Sequence, residues 1–168
     1  IKKSIEKDVE WSLSQEDPNP NNAHRYVYSP TSIEVETAKN PISQEKVVMV
    51  DAINHALNEE MDLNPKMIIY GQDIADPKGG VFTATKGLSS KYGKDRVFNS
   101  PLAESSIIGT AIGLAVTGYK PVVEIQFADY IWTSMMQIRN EVVTMRYRSN
   151  NLWECPLIIR APVGGYIN

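Results

Sequence analysis

Cysteine and histidine are almost missing from this chain: 168 residues carry one Cys and two His. Cys155 has no partner for an intrachain disulfide. No other soft ligand clusters near it, which excludes a zinc site of ordinary Cys/His spacing. Long apolar runs are lacking as well. Ile107 to Val116 is far too short to cross a bilayer, so no membrane role is expected. Basic excess is absent: 17 Lys and Arg stand against 20 Asp and Glu, scattered along the chain at net charge −3, which gives nucleic acid no electrostatic foothold. There is no G-x-G-x-x-G. The glycine loop Lys78-Gly-Gly80 lacks the spacing and the trailing Lys-Ser/Thr of a P-loop. No Ser or Cys lies at a recognisable nucleophile elbow, and His24 and His55 read as surface or packing residues, so a hydrolase triad has little support. The opening Ile1-Lys-Lys-Ser-Ile-Glu-Lys is not a signal peptide. Without an initiator methionine it reads as a processed chain or a fragment, in the cytosol or an equivalent reducing compartment.

What is present is an ordinary globular composition, 42% hydrophobic and 22% charged. Residues 1–45 differ from the rest. Ile1, Ile5, Val9 and Leu13 recur at helical spacing, Asp17-Pro-Asn-Pro-Asn-Asn22 is loop chemistry, and a polar, Pro-containing link runs to Gln44. This extension is too small to fold alone and is expected to dock elsewhere. From residue 46 to 168 the pattern turns βα. An apolar helix stripe (Val47, Val50, Ala52, Ile53, Ala56, Leu57, Met61) precedes a buried strand at Met67–Tyr70 that ends in Gly71-Gln-Asp73. A short helix from Thr85 to Tyr92 leads to a strand at Arg96–Asn99. Glu104 then opens a helix, apolar or small on nearly every face, that ends near Gly118. A strand at Val122–Gln126 runs into Phe127-Ala-Asp-Tyr130, a long helix is expected from Ile131 to Tyr147, and a last strand spans Pro156–Arg160. Parallel strands alternating with helices make a three-layer α/β/α domain with a mainly parallel sheet. Its strand ends at Gly71–Asp73, Pro101–Glu104 and Gln126–Tyr130 share one edge, where such sheets bind ligands. Glu104 has two readings on position alone: a charge that suits a helix N-terminus, or a site carboxylate.

Pro101-Leu-Ala-Glu-Ser-Ser-Ile-Ile-Gly-Thr-Ala-Ile-Gly113, Pro121-Val-Val-Glu-Ile-Gln-Phe-Ala-Asp-Tyr130, Arg146-Tyr-Arg-Ser149 and Ile159-Arg-Ala-Pro162 follow one another in an order that resembles a known family. It is the beta subunit of thiamine diphosphate-dependent 2-oxo acid dehydrogenases, of the branched-chain (2-oxoisovalerate) or pyruvate type. The resemblance covers residues 46 to 167, and the extension is similar to the C-terminal tail of the family's alpha subunit, as in a fused alpha-beta chain. It implies a transketolase-like pyrimidine-binding domain. Glu104 then matches the acid that hydrogen-bonds the cofactor's aminopyrimidine and shares a proton with it, which calls for burial to keep that proton near neutral pH. Leu102, Gln126 and Tyr130 match residues that surround the pyrimidine.

Magnesium and the diphosphate are implied to be held by the alpha half, because no Gly-Asp-Gly occurs here and this chain is expected to hold no metal. Gln72 stands where many relatives carry a second acidic residue, which leaves a carboxylate role only to Asp73. The family's proton-transferring histidine lies just past Gly165, so the fragment is expected to hold half a site and not to turn over alone. Implied partners are the alpha half, a lipoyl-bearing dihydrolipoyl acyltransferase and further copies in an alpha2beta2-like oligomer, with the mitochondrial matrix as the compartment in a eukaryote. The alternatives are another transketolase-like enzyme such as a deoxyxylulose phosphate synthase, against which Gln126-Phe-Ala-Asp-Tyr130 argues, and a non-catalytic assembly domain that keeps the fold.

Overall fold

A computed structural model describes residues 1–30 and 46–164 of the chain. The polar link expected up to Gln44 and the loop end at Gly165 lie outside the described residues. Within them, four short strands form one parallel sheet: β1 (Met67–Gly71), β2 (Val97–Asn99), β3 (Lys120–Glu124) and β4 (Ile158–Arg160), in the order β2-β1-β3-β4. β1 is buried along its whole length, which explains its unbroken apolar sequence.

Side-chain alternation along the strands builds two cores. Met67, Ile69, Val97 and Val122 pack with Met61 of α2 (Met49–Leu63) and Leu88 of α3 (Leu88–Tyr92). Ile68, Tyr70, Val123 and Ile125 pack on the opposite face with Ile107, Ile108 and Ala111 of α4 (Glu104–Val116), and Ile138 and Val142 join them. The result is the expected three-layer α/β/α arrangement. β1 sits at its centre, the chain leaving it on one side toward β2 and returning on the other at β3. That reversal is where open α/β sheets form a crevice beyond their strand ends.

Two polar ties fix the layers. The Tyr70 hydroxyl donates to the Ile107 carbonyl at 2.9 Å and lies 2.7 Å from Thr110 Oγ1, so β1 is bonded to α4; burial pushes this phenol above its ordinary value. On the other face Arg96 donates to the carbonyls of Met61, Asn64 and Met67, bridging the end of α2 and the start of β1. Orphan carbonyls at a helix C-terminus need such donors.

Three expectations differ from what is observed. The helix expected from Ile131 to Tyr147 is broken into a 3-10 segment (Ala128–Ser134), α5 (Met135–Gln137), a π-helical turn (Ile138–Val142) and α6 (Met145–Arg148). Thr133 and Ser134 bond their hydroxyls back to the carbonyls of Tyr130 and Ile131, which offers the backbone an alternative to α-geometry. α4 is not buried all round. Ser106, Gly109, Thr110 and Gly113 form an exposed outer side, since only one side meets the sheet. In the α2 stripe, Val47, Ala52 and Ala56 are exposed and only Met61 is fully buried.

The extension folds as α1 (Lys2–Leu13), with no buried residue, and a Tyr147 hydroxyl bond to the Ala23 carbonyl at 3.2 Å links this region to the sheet domain. No helix among the described residues is long and apolar enough to cross a membrane.

Arg96→Ala should lower the unfolding free energy by about 2 kcal/mol, because it strips charged donors from three carbonyls. Arg96→Lys should recover only part, since an ammonium cannot reproduce the fork. Urea unfolding of the three forms checks this. A pH prediction follows from Asp76. Burial would raise its carboxyl, but hydrogen bonds from the Gly87 amide, the hydroxyls of Ser90 and Ser89 and the Ser90 amide outweigh it and hold it down to about 2, from 3.8. A depressed folded-state value contributes stability that is complete above the unfolded value and disappears as pH falls toward about 2. Asp76→Asn should flatten the stability profile over that interval, measured by thermal melts in acid.

Candidate active site

The crevice is built where β1 and β3 end together. Gly71 pairs with Glu124, and a Cβ on Gly71 would come within 2.5 Å of the Glu124 carbonyl oxygen, so only glycine allows this register. Beyond it the chain continues as Gln72 and Asp73 on one strand and as Ile125 and Gln126 on the other. The alternation that points Ile68 and Tyr70 at α4 sends Gln72 to the same side, and its Nε2 donates to Glu104 Oε1 at 3.2 Å.

Glu104 is the first residue of α4, where unpaired backbone N–H groups favour a carboxylate. Its second oxygen, Oε2, accepts from the Thr133 hydroxyl at 3.3 Å, and the same hydroxyl is 2.9 Å from the Tyr130 carbonyl. Thr133 thus links the acid to the segment that carries Tyr130. Both donors are neutral, and Glu104 takes part in no ion pair among the described residues. It is half-buried, less enclosed than the sequence led us to expect.

Gln126 belongs to a second group. Its Nε2 donates to Asp73 Oδ2 at 3.0 Å, and Lys78 Nζ reaches the same oxygen at 2.6 Å. Tyr130 packs edge-on against Phe127, ring centres 5.4 Å apart, with Phe127 meeting Phe82 in the same manner at 6.0 Å. Leu102 stands apart on the loop before α4, 80% exposed. Beside Tyr130 a groove of about 710 Å³ runs between α2 and the end of β4, lined by Met49, Ile53, Phe82, Phe127 and Arg160.

Under that groove Glu124, 2% exposed, is paired through Oε2 with Arg160, its register partner on β4, while Oε1 has no hydrogen-bond partner. Burial pushes the Arg160 guanidinium below its ordinary value. Cys155 is half-buried and its thiol is pushed up by burial, which argues for an inert packing role.

Gln72, Thr133 and the Glu124–Arg160 pair were not among the expected site residues. For Gln72 a signal existed: strand alternation continued two residues past Tyr70 aims it at α4. Thr133 gave none, because it depends on the helix break. Among the described residues, no group of three or more His, Cys, Asp or Glu could hold a metal ion.

A covered parallel sheet thus carries a carboxyl, two amides and an aromatic ring near its switch point, as an α/β domain with a ligand crevice would. A family model described as "Transketolase, pyrimidine binding domain" matches residues 45–168, and the chain belongs to that family. It is 48% identical over 119 residues to the 2-oxoisovalerate dehydrogenase subunit beta of Bacillus subtilis, covering 71% of this chain and 36% of that protein. It is 42% identical over 123 residues to the pyruvate dehydrogenase E1 component subunit beta of the same organism, covering 73% and 38%. The subunit of that name from Leifsonia xyli is 45% identical over 119 residues, covering 71% and 35%. The chain thus spans little more than a third of the length of these relatives.

The residues fit the aminopyrimidine end of thiamine diphosphate. Glu104 is reachable from solvent and held only by neutral donors, and the Tyr130 ring is exposed at the same edge, while Leu102 stands apart from both. For the buried pair below, Glu124→Gln should destabilise the fold by about 3 kcal/mol, since it leaves Arg160 without its counter-charge. Thermal and urea unfolding check it, and an unchanged stability would mean that solvent reaches the guanidinium freely.

Proposed function

We propose that this chain supplies the pyrimidine-binding half of the thiamine diphosphate site in the decarboxylating component of a 2-oxo acid dehydrogenase complex. The observation that carries the reading is the Glu104 carboxyl at the sheet's switch point, bonded to Gln72 and Thr133 and linked through Thr133 to Tyr130. The whole protein then decarboxylates a 2-oxo acid oxidatively and passes the acyl group to a lipoyl-bearing dihydrolipoyl acyltransferase.

Bound at this edge, thiamine diphosphate would supply a nucleophilic carbon and an electron sink for decarboxylation. The chain's own contribution is positional and acid–base. Glu104 would hold or share a proton with a ring nitrogen, while Gln72 and Thr133 hold its two oxygens in place. Tyr130 and Leu102 provide the apolar walls, and the Gln126 amide orients the ring's polar edge. Diphosphate and magnesium are assigned to a companion alpha half, as a separate subunit or as part of a fused chain in which residues 1–45 form the junction. The assembly is an alpha2beta2-like oligomer of the cytoplasm, or of the mitochondrial matrix in a eukaryote.

A branched-chain substrate such as 2-oxoisovalerate is favoured by the 48% identity to the beta subunit named for it, against 42% and 45% for two named for pyruvate. Pyruvate is the second reading. In the full-length protein, Glu104→Gln should reduce decarboxylation of the preferred 2-oxo acid by about 100-fold or more. Cofactor affinity, measured by calorimetry, should stay close to that of the unsubstituted enzyme. Unchanged turnover would reduce Glu104 to a helix-start charge. Parallel assays with pyruvate and 2-oxoisovalerate identify the substrate.

A further inference from the structure

We propose that α1 is a dimerisation arm: its apolar stripe lies on the outer side of residues 132–147 of a second copy, which returns its own α1 in the same way. The family model starts at residue 45, so this extension lies outside it. A helix of 12 residues is marginal in water unless one of its faces is covered. Ile1, Ile5, Val9 and Leu13 form the stripe of α1, and all four are exposed. A matching face stands open on the domain. Ile138 and Val142 turn inward to the core beside α4, while Trp132, Met136, Val143 and Tyr147 stay 49–73% exposed on the outer side. α1 is about 18 Å long and this face roughly 20–25 Å. Charge agrees with the match. Arg139 is exposed at the middle of the face and takes part in no ion pair among the described residues. Asp8, at the middle of α1, borders the stripe between Ile5 and Val9 and is also outside any ion pair there, while Lys3 and Lys7 project from the opposite side. Because both charges are central, they meet whichever way the two helices run.

The chain's own α1 leaves this face uncovered, although the two are tethered where the Tyr147 hydroxyl donates to the Ala23 carbonyl. Pro18 and Pro20 stiffen the link between them, and a 3-10 turn (Pro20–Asn22) capped by the Asn19 side chain sets its course. The arm is anchored at the Tyr147 end of the face, and its stripe stays in solvent. Two copies related by a two-fold rotation satisfy both faces of both chains at once. Over the two contacts, the apolar side chains of stripe and face remove on the order of 1,200 Å² from water, which is what a specific interface needs.

The test is disulfide capture between two differently tagged full-length proteins made in the same cells, one carrying Val9→Cys and the other Val143→Cys. After purification and mild oxidation, a species with both tags should form, in far larger amount than from Lys7→Cys paired with Val143→Cys. Arg139→Glu in the Val143→Cys chain should slow the capture several-fold, and Asp8→Lys in the Val9→Cys chain should restore it. With both cysteines in one chain, diluted among unsubstituted copies, that chain should stay unlinked to itself. Every substituted residue is exposed, so the fold is not at stake. A disulfide within the one chain would mean that α1 folds back on its own domain. No disulfide in either arrangement, or equal capture from Lys7→Cys, would mean that this face serves another partner. Either result overturns the proposal.

Discussion

Close pairing of β1 with β3 at Gly71 is the constraint on which the candidate site depends. With no side chain there, the strand lies against the Glu124 carbonyl, and the residues that follow on both strands emerge together at one edge. Because each strand alternates, Gln72 is delivered to the face of α4 and Glu124 to the face of α2. The Tyr70 hydroxyl bond to Ile107 then sets the height of α4 over β1, and with it the distance between Gln72 and Glu104. A side chain at position 71 would disturb both groups at once.

The two faces treat charge in opposite ways. On the α2 side Glu124 and Arg160 neutralise each other in a buried pair, an arrangement that fixes geometry more than it stabilises. On the α4 side Glu104 has neutral donors and partial access to solvent, and no cation pairs with it among the described residues. A carboxyl meant to exchange a proton with a ligand needs the second environment. A carboxyl meant to hold two strands together needs the first.

Much of this was legible in the residues. An unbroken apolar run at Met67–Tyr70 and a mostly apolar one at Val122–Ile125, interrupted by Glu124, marked strands, and Glu104 at the head of a small, apolar helix marked the edge where they end. The helix break at Ala128–Ser134 was not legible, because apolar spacing at Ile131, Met135, Ile138, Val142 and Met145 fits an α-helix and the competing hydroxyl bonds of Thr133 and Ser134 depend on packing against α4. Thr133 was missed for that reason. Periodicity also overstated how deeply α4 is enclosed. Small residues satisfy a buried face and an open one equally well, and only the contacts distinguish them.

The most direct test of the account is a crystal structure of the full-length enzyme, with its companion half, bound to thiamine diphosphate. The account predicts the aminopyrimidine within hydrogen-bond distance of the Glu104 carboxyl, against Tyr130 and Leu102, with Gln72 still bonded to the same carboxyl. A cofactor seated elsewhere, with Glu104 meeting only Gln72, Thr133 and water, would contradict it.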